Sequence, residues 1–203
     1  MKILITGHTI GIGAACEKIF NDYEVVGCSR SNGYDISIEN IRQQIIELAR
    51  DCDVVLLNAF SDEQRWAQHE LLVDMFNAFA KETKTIVIIS SNASDTWKGQ
   101  MRKYPSYKKL VDHSAKQMAH LNMPCRVINI RPGYVATTRI NKDFHKQAMS
   151  PESLATAIRK ILELPSDVRP AEVTLLPELY LSLIHICRCR RLLTCRSRWS
   201  PYH

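Results

Sequence analysis

Lys2-Ile3-Leu4-Ile5-Thr6-Gly7-His8-Thr9-Ile10-Gly11-Ile12-Gly13 is the stretch that decides how this chain is read. Residues 2 to 6 are the apolar run of a buried strand, and a helical stretch to about Phe20 follows the glycines. Glycine lets the backbone turn tightly and approach a ligand closely, and it leaves the amides of a helix N-terminus open to a phosphate. A glycine pattern alone also fits a plain strand-to-helix turn. Its place directly after the first strand favours a dinucleotide. Gly7, Thr9, Gly11, Ile12 and Gly13 are therefore candidate cofactor-binding residues, and His8 reads as a variable loop residue.

A second strand, Tyr23 to Gly27, ends in Cys28-Ser29-Arg30-Ser31. An acid near this strand end would accept hydrogen bonds from the ribose hydroxyls of NAD. Arg30 stands there instead, which favours a 2′-phosphate and hence NADP(H) over NAD(H), with Ser29 beside it; a solvated surface arginine is the competing reading. Only Ser31-Asn32-Gly33 separates this strand end from Tyr34-Asp35-Ile36, too few residues for a crossover helix. The helix between strands two and three is thus expected to be absent, and the third strand a stub or missing.

Further along, Ser37 is expected to cap a helix running to about Arg50, with Ile38, Ile41, Ile45 and Leu48 on its inner face. Asp53 to Phe60 reads as a buried strand, and a helix from about 64 to 81 turns Leu71, Leu72, Met75, Phe76 and Phe79 inward, as core or as a subunit contact. Strands are expected at Thr85 to Ile89, Arg126 to Ile130 and Glu172 to Leu176, with a helix starting at Ser150-Pro151-Glu152 and presenting Leu154, Ile158 and Ile161 to the core. Strands alternating with helices define a single α/β domain, a Rossmann-like doubly wound parallel sheet in three layers with about six strands.

Ser91 closes the strand at 85–89, and thirteen residues later Tyr104 precedes Lys108 by one helical turn on a helix expected from Tyr104 to about His120. A phenol near pKa ~10 is a poor acid or base at neutral pH, and a cation nearby favours phenolate. Tyrosine then becomes usable for proton transfer, with the serine hydroxyl holding a carbonyl oxygen. The loop carrying Trp97 and Met101 is expected to overhang a substrate.

Together these residues resemble the short-chain dehydrogenase/reductase family over nearly all of residues 1 to 177. The matching pieces are Thr6-Gly7-x-x-x-Gly11-x-Gly13, Asn58-Ala59, Ser91, Tyr104-x-x-x-Lys108 and Pro132-Gly133-x-Val135-x-Thr137. The resemblance implies hydride transfer between NADP(H) and a small carbonyl or secondary alcohol, with Tyr104 moving the substrate proton and Ser91 positioning the carbonyl oxygen. Lys108 would bind the nicotinamide ribose and lower the tyrosine pKa. It also implies adenine contacts at Asp35 and Ile36 and a carboxamide contact at Thr137. Three departures stand out. Phe60 follows Asn58-Ala59 where the family commonly has glycine and is expected to crowd the cofactor side. No clear counterpart exists for the relay asparagine, Gln64 being at a plausible spacing. The segment from Thr138 to Ser150 leaves little room for a lid. A non-catalytic NADP(H)-binding sensor or scaffold, and a sugar-nucleotide reductase or epimerase, are the alternatives.

The net charge of +6 over 203 residues is concentrated at the end. Without the five arginines of residues 181–203, the 27 basic side chains fall to 22 against 21 acidic ones, so the body is nearly neutral and no nucleic-acid partner is expected. Leu181 to Ile186 back-translates to CTGTCTCTTATACACATC, which resembles a transposase end used to make sequencing libraries, and Cys195 to His203 fits the same adapter. Residues 1–180 are thus taken as the domain and 181–203 as an artefactual tail, the rival reading being a real basic tail that binds metal or nucleic acid. Cys16, Cys28, Cys52 and Cys125 are expected as core residues in a reducing cytoplasm, without a bound metal. Neither a signal peptide nor a membrane span is expected. Any homo-oligomer is expected to form through the helices at 64–81 and 104–120.

Overall fold

The computed structural model describes residues 1–95, 103–138 and 142–178. Trp97, Met101, Tyr180 and the segment 181–203 lie outside the described residues. Six strands form one parallel sheet: β1 (Lys2–Thr6), β2 (Glu24–Cys28), β3 (Val54–Leu57), β4 (Thr85–Ile89), β5 (Arg126–Pro132) and β6 (Glu172–Leu175). Their order across the sheet is β2-β1-β3-β4-β5-β6. Five helices cover its two faces: α1 (Gly11–Ile19), α2 (Glu39–Ala49), α3 (Ala67–Phe79), α4 (Lys103–His120) and α5 (Pro151–Leu162).

The apolar runs read as strands have no polar face because both faces are covered. Leu4, Val55, Leu57, Ile86 and Ile88 pack on one side with side chains of α2, α3 and α4. Their strand neighbours Ile3, Ile5, Val54, Leu56, Val87 and Ile89 pack on the other with those of α1 and α5. Three layers follow from this alternation. Successive connections from β1 run in opposite directions along the sheet, to β2 through α1 and to β3 from β2 through α2. The strand order therefore reverses between β1 and β3, where a crevice opens beyond the carboxyl ends of the strands.

The short segment after β2 does what its length requires. Residues 34–36 form no strand, and only a 3-10 turn at Arg30–Asn32 follows β2 before Gly33, whose φ of +93° suits glycine. The helix after it differs from expectation. Ser37 does not cap α2: Ile38 holds the N-cap position without a side-chain bond, and Asp35 Oδ1 accepts from the Ser37 amide at 2.9 Å. The buried face of α2 is Arg42, Ile45, Ile46 and Ala49, while Ile38 and Leu48 are 49% and 38% exposed. Charge decides this rotation. Arg42 lies inward because its guanidinium meets Glu70 at 2.8 Å and Asp74 at 3.9 Å on α3, and donates to the Ile36 carbonyl at 3.1 Å.

The helix and strand bounds elsewhere differ from the sequence reading by one to a few residues, chiefly because flanking turns were counted in. Ser150 caps α5 as expected, accepting from the Ser153 amide at 3.0 Å. The four cysteines of the body are buried, and burial pushes the thiols of Cys16 and Cys28 up to about 12 and that of Cys125 to about 11. Such thiols remain protonated and inert at neutral pH.

A buried lysine closes the end of α2. Lys84 Nζ donates to the carbonyls of Ala49 (3.2 Å), Arg50 (2.5 Å) and Cys52 (2.7 Å), and lies 4.9 Å from the centroid of Phe79. The Ala49 carbonyl also accepts from the Cys52 amide at 3.1 Å, and the one ammonium adds a charged donor to all three carbonyls where the helix ends. Lys84→Met keeps the stem and removes the donors; it should destabilise the fold by about 2 kcal/mol in urea unfolding. A loss too small to measure would show that water replaces the ammonium.

Candidate functional site

The cleft opens where β1 and β3 diverge, and Thr6 ties their ends. Its Oγ1 donates to the Leu56 carbonyl at 3.3 Å and accepts from the amides of Asn58 and Ala59, both at 3.0 Å. Asn58 returns the contact, its Nδ2 donating to the carbonyls of Gly7 at 3.1 Å and Thr6 at 3.3 Å. Asn58 thus holds the glycine loop in shape. A Cβ on Gly13 would overlap the Gly7 carbonyl, and Gly7 itself has φ +69°. Only glycine fits either place.

Gly7, Thr9, Gly11 and Ile12 line one wall of a cleft of about 910 Å³, and Gly13 supports that loop without facing the cleft. Ser29, Arg30, Asp35 and Ile36 line its far end. Arg30 is exposed there at the rim, while Ser29 is buried and hydrogen-bonded to Ser31 and Asn32. Asn58 and Ala59 form the floor. Pro132, Gly133, Val135 and Thr137 close the opposite wall after β5, with Thr137 Cγ2 at 3.3 Å from where a Cβ of Gly11 would stand. His8, read as a variable residue, packs its ring into the space left by Gly27 on β2.

Ser91, Tyr104 and Lys108 reach the same cleft from β4 and α4. Ser91 Oγ accepts from the Ala93 amide at 3.1 Å as the chain enters a 3-10 turn, Asn92–Asp95. Tyr104 is 36% exposed and meets the ring of Phe60 edge-on, with centroids 5.3 Å apart. Lys108 is 3% exposed; its Nζ donates to Gln68 Oε1 at 2.7 Å and the Ile89 carbonyl at 3.0 Å. The ammonium also lies 4.9 Å from the Phe60 centroid and 5.8 Å from that of Tyr104. Phe60 therefore packs at the Tyr104–Lys108 end of the cleft. Gln64 does not line this cleft: it is exposed, and its backbone N–H donates to Ser61 Oγ at 3.1 Å. The partner of Lys108 is Gln68, one turn further on. Gln68 was not among the residues singled out in the sequence, because its partners Leu57 and Ile89 meet it only in the fold.

A second group of residues, unmarked in the sequence, fixes the turn after Ser91. Ser94 Oγ lies 3.0 Å from the Ser91 carbonyl and 2.5 Å from Asp112 Oδ2, and accepts from Arg131 at 2.9 Å. The buried Arg131 also pairs with Asp95, with Asp112 at 3.2 Å and with Glu172 at 2.9 Å. One guanidinium thus joins the turn, α4 and β6. Among the described residues of the 138–150 connection there is a 3-10 turn at Lys142–Gln147, and Val135 forms a parallel bridge with Met149.

No family model matches the sequence, and no curated protein does. Solved structures do match. A short-chain dehydrogenase/reductase from Vibrio parahaemolyticus superposes with a TM-score of 0.71 at 19% identity, covering 87% of this chain and 99% of the other. The fold is that of the short-chain dehydrogenases/reductases. The 3-alpha-hydroxysteroid dehydrogenase from Pseudomonas sp. B-0831, complexed with NADH, matches with a TM-score of 0.69 at 18% identity over 86% of this chain and 94% of that one. A closed form of serine dehydrogenase complexed with NADP+ gives 0.71 at 14% identity over 87% and 95%. Among the described residues, no helix is long and apolar enough to cross a membrane.

The turn after Ser91 carries a pH signature. Hydrogen bonds from Lys109 and then from Arg131 hold the Asp95 carboxyl below the usual carboxylate range. Because the folded value is the lower one, Asp95 contributes its stability above the unfolded value of about 3.9 and loses it as pH falls through the folded value. Asp95→Asn should lower the melting temperature at pH 7, and the gap from wild type should close as pH is lowered beneath the ordinary carboxylate range. A gap that stays constant across this range would show that the charge on Asp95 does not matter.

Proposed function

We propose that the chain is an NADP(H)-dependent oxidoreductase acting on a small carbonyl or secondary-alcohol substrate. The observation that carries this reading is the convergence of Ser91, Tyr104 and Lys108 on one cleft with the glycine loop and the Pro132-to-Thr137 wall. The residues present fit a dinucleotide. Gly7 and Gly11 expose the loop backbone at the N-terminal end of α1, where a pyrophosphate is favoured. At the far end, Asp35 already spends a carboxylate oxygen on the Ser37 amide, whereas Arg30 is exposed at the rim. That contrast supports a 2′-phosphate over a free ribose hydroxyl, and so NADP(H) over NAD(H). Asp35 and Ile36 would flank the adenine, Asn58 and Ala59 the inner ribose, and Thr137 the carboxamide.

The bound dinucleotide would supply or take the hydride; the chain's own side chains handle the proton. Ser91 would hold the carbonyl oxygen by a hydrogen bond from Oγ. Tyr104 Oη would give that oxygen its proton during reduction, or remove it during oxidation. Lys108 would anchor the nicotinamide ribose, and its positive charge favours the phenolate form of Tyr104. The second reading, an NADP(H) sensor or scaffold without turnover, draws on Phe60, whose ring packs against Tyr104 and Lys108 together. We further propose a cytoplasmic protein whose oligomer contacts, where formed, run along α3 and α4.

Tyr104→Phe should cost about three orders of magnitude in kcat with a carbonyl panel, from loss of the acid, while NADPH binding is kept within a few-fold. A variant that keeps its rate would refute the mechanism, and wild-type protein that binds NADPH but oxidises it with no carbonyl would support the sensor. Arg30→Asp should raise the Kd for NADPH about tenfold or more relative to NADH, by loss of a charge-assisted contact. An unchanged ratio of the two affinities would remove Arg30 as the selector.

A further inference from the structure

Gln68 is a buried polar residue on an otherwise apolar face. It is 1% exposed at the start of α3, on the face where Ala67, Leu71, Leu72, Met75 and Phe79 are buried. A primary amide in such a place is costly unless its hydrogen bonds are met. Its Nε2 donates to the Leu57 carbonyl at 3.2 Å and the Ile89 carbonyl at 3.1 Å, at the carboxyl ends of the adjacent strands β3 and β4. Both donors are thereby used, which fixes the amide orientation and leaves Oε1 facing Lys108 Nζ at 2.7 Å. The flipped amide would set an NH2 group against an ammonium and lose both carbonyl contacts.

We infer that Gln68 is the positioning residue for Lys108: it ties the ammonium to the sheet without neutralising it, and so sets how firmly the cleft grips the nicotinamide ribose. The inference rests on reading the cleft as a dinucleotide site. Lysine has a flexible four-carbon stem and a point charge that is costly to hold in one place. Here Gln68 Oε1 and the Ile89 carbonyl, which Gln68 itself also binds, supply two neutral acceptors of fixed position. Phe60 lies against the ammonium at 4.9 Å. A carboxylate in the place of Gln68 would hold the lysine equally well but would cancel the charge the cleft needs. An amide also has no proton to lose, so it serves as an anchor and takes no part in proton relay.

The test uses the full chain and two readouts, one of which needs no cofactor. In cofactor-free protein, the Lys108 ammonium should give a slowly exchanging 15N–1H signal, assigned by its loss in Lys108→Met. Gln68→Met, similar in length but without the acceptor, should abolish that signal. It should also raise the NADPH Kd about tenfold, the loss of one charge-assisted contact, while 2′,5′-ADP, which lacks the nicotinamide ribose, binds within twofold of wild type. Gln68→Glu preserves the shape should the methionine variant fail to fold. It should retain an ammonium signal at a shifted position and still weaken NADPH about tenfold against an unchanged 2′,5′-ADP affinity. An unchanged Lys108 signal in Gln68→Met, equal weakening of both ligands, or undiminished NADPH affinity in Gln68→Glu would overturn the inference. An ammonium signal lost in Gln68→Met, with NADPH binding to no protein in the set, would support the clamp and refute the dinucleotide reading instead.

Discussion

The hydrogen bonds between Thr6 and the Asn58-Ala59 segment are the constraint on which the rest of the site depends. They join the ends of β1 and β3, the neighbours between which the strand order reverses. In a doubly wound sheet the connections leave such a pair in opposite directions and open a crevice. Thr6 keeps the strand ends together beneath that crevice, and the Asn58 amide holds the glycine loop above them. The close approach of Gly13 to Gly7 then allows α1 to begin immediately behind the loop. Fold and cleft thus share one set of contacts.

Around this centre, buried charges are paired or hydrogen-bonded across elements. Arg42 links α2, α3 and the Asp35-Ile36 segment; Lys84 closes α2; Arg131 joins the turn after Ser91 to α4 and β6. Each cation reaches more than one acceptor, which is what makes its burial tolerable. Lys108 follows the same rule with carbonyl and amide oxygens. Lys108 lines the cleft, and Arg131 holds the turn that follows Ser91, so groups that order the fold also support the site.

How much of this was legible in the sequence depended on whether the signal was local. Gly7, Gly11 and Gly13 after an apolar strand, Ser91 at thirteen residues from Tyr104, and the four-residue step to Lys108 are local patterns, and all reach or support one cleft. The apolar positions of α3 were equally plain, since Leu71, Leu72, Met75, Phe76 and Phe79 repeat with the helix. The face of α2 was not, because periodicity counts arginine as outward and Arg42 turns inward to meet acids on another helix. Gln68 and the Arg131 cluster were hidden for the same reason: their partners Leu57, Ile89, Ser94, Asp112 and Glu172 are distant in sequence and become neighbours only in the fold. Phe60 was visible as a departure from the family pattern, but its contact with both Tyr104 and Lys108 was not.

A crystal structure of the chain with NADPH tests the central claim most directly. The account predicts the pyrophosphate on the 7–13 loop, the 2′-phosphate at Arg30, and the nicotinamide ribose at Lys108, with C4 of the ring facing the space between Ser91 and Tyr104. A dinucleotide seated with its nicotinamide outside the cleft, or turned away from Tyr104, would contradict it.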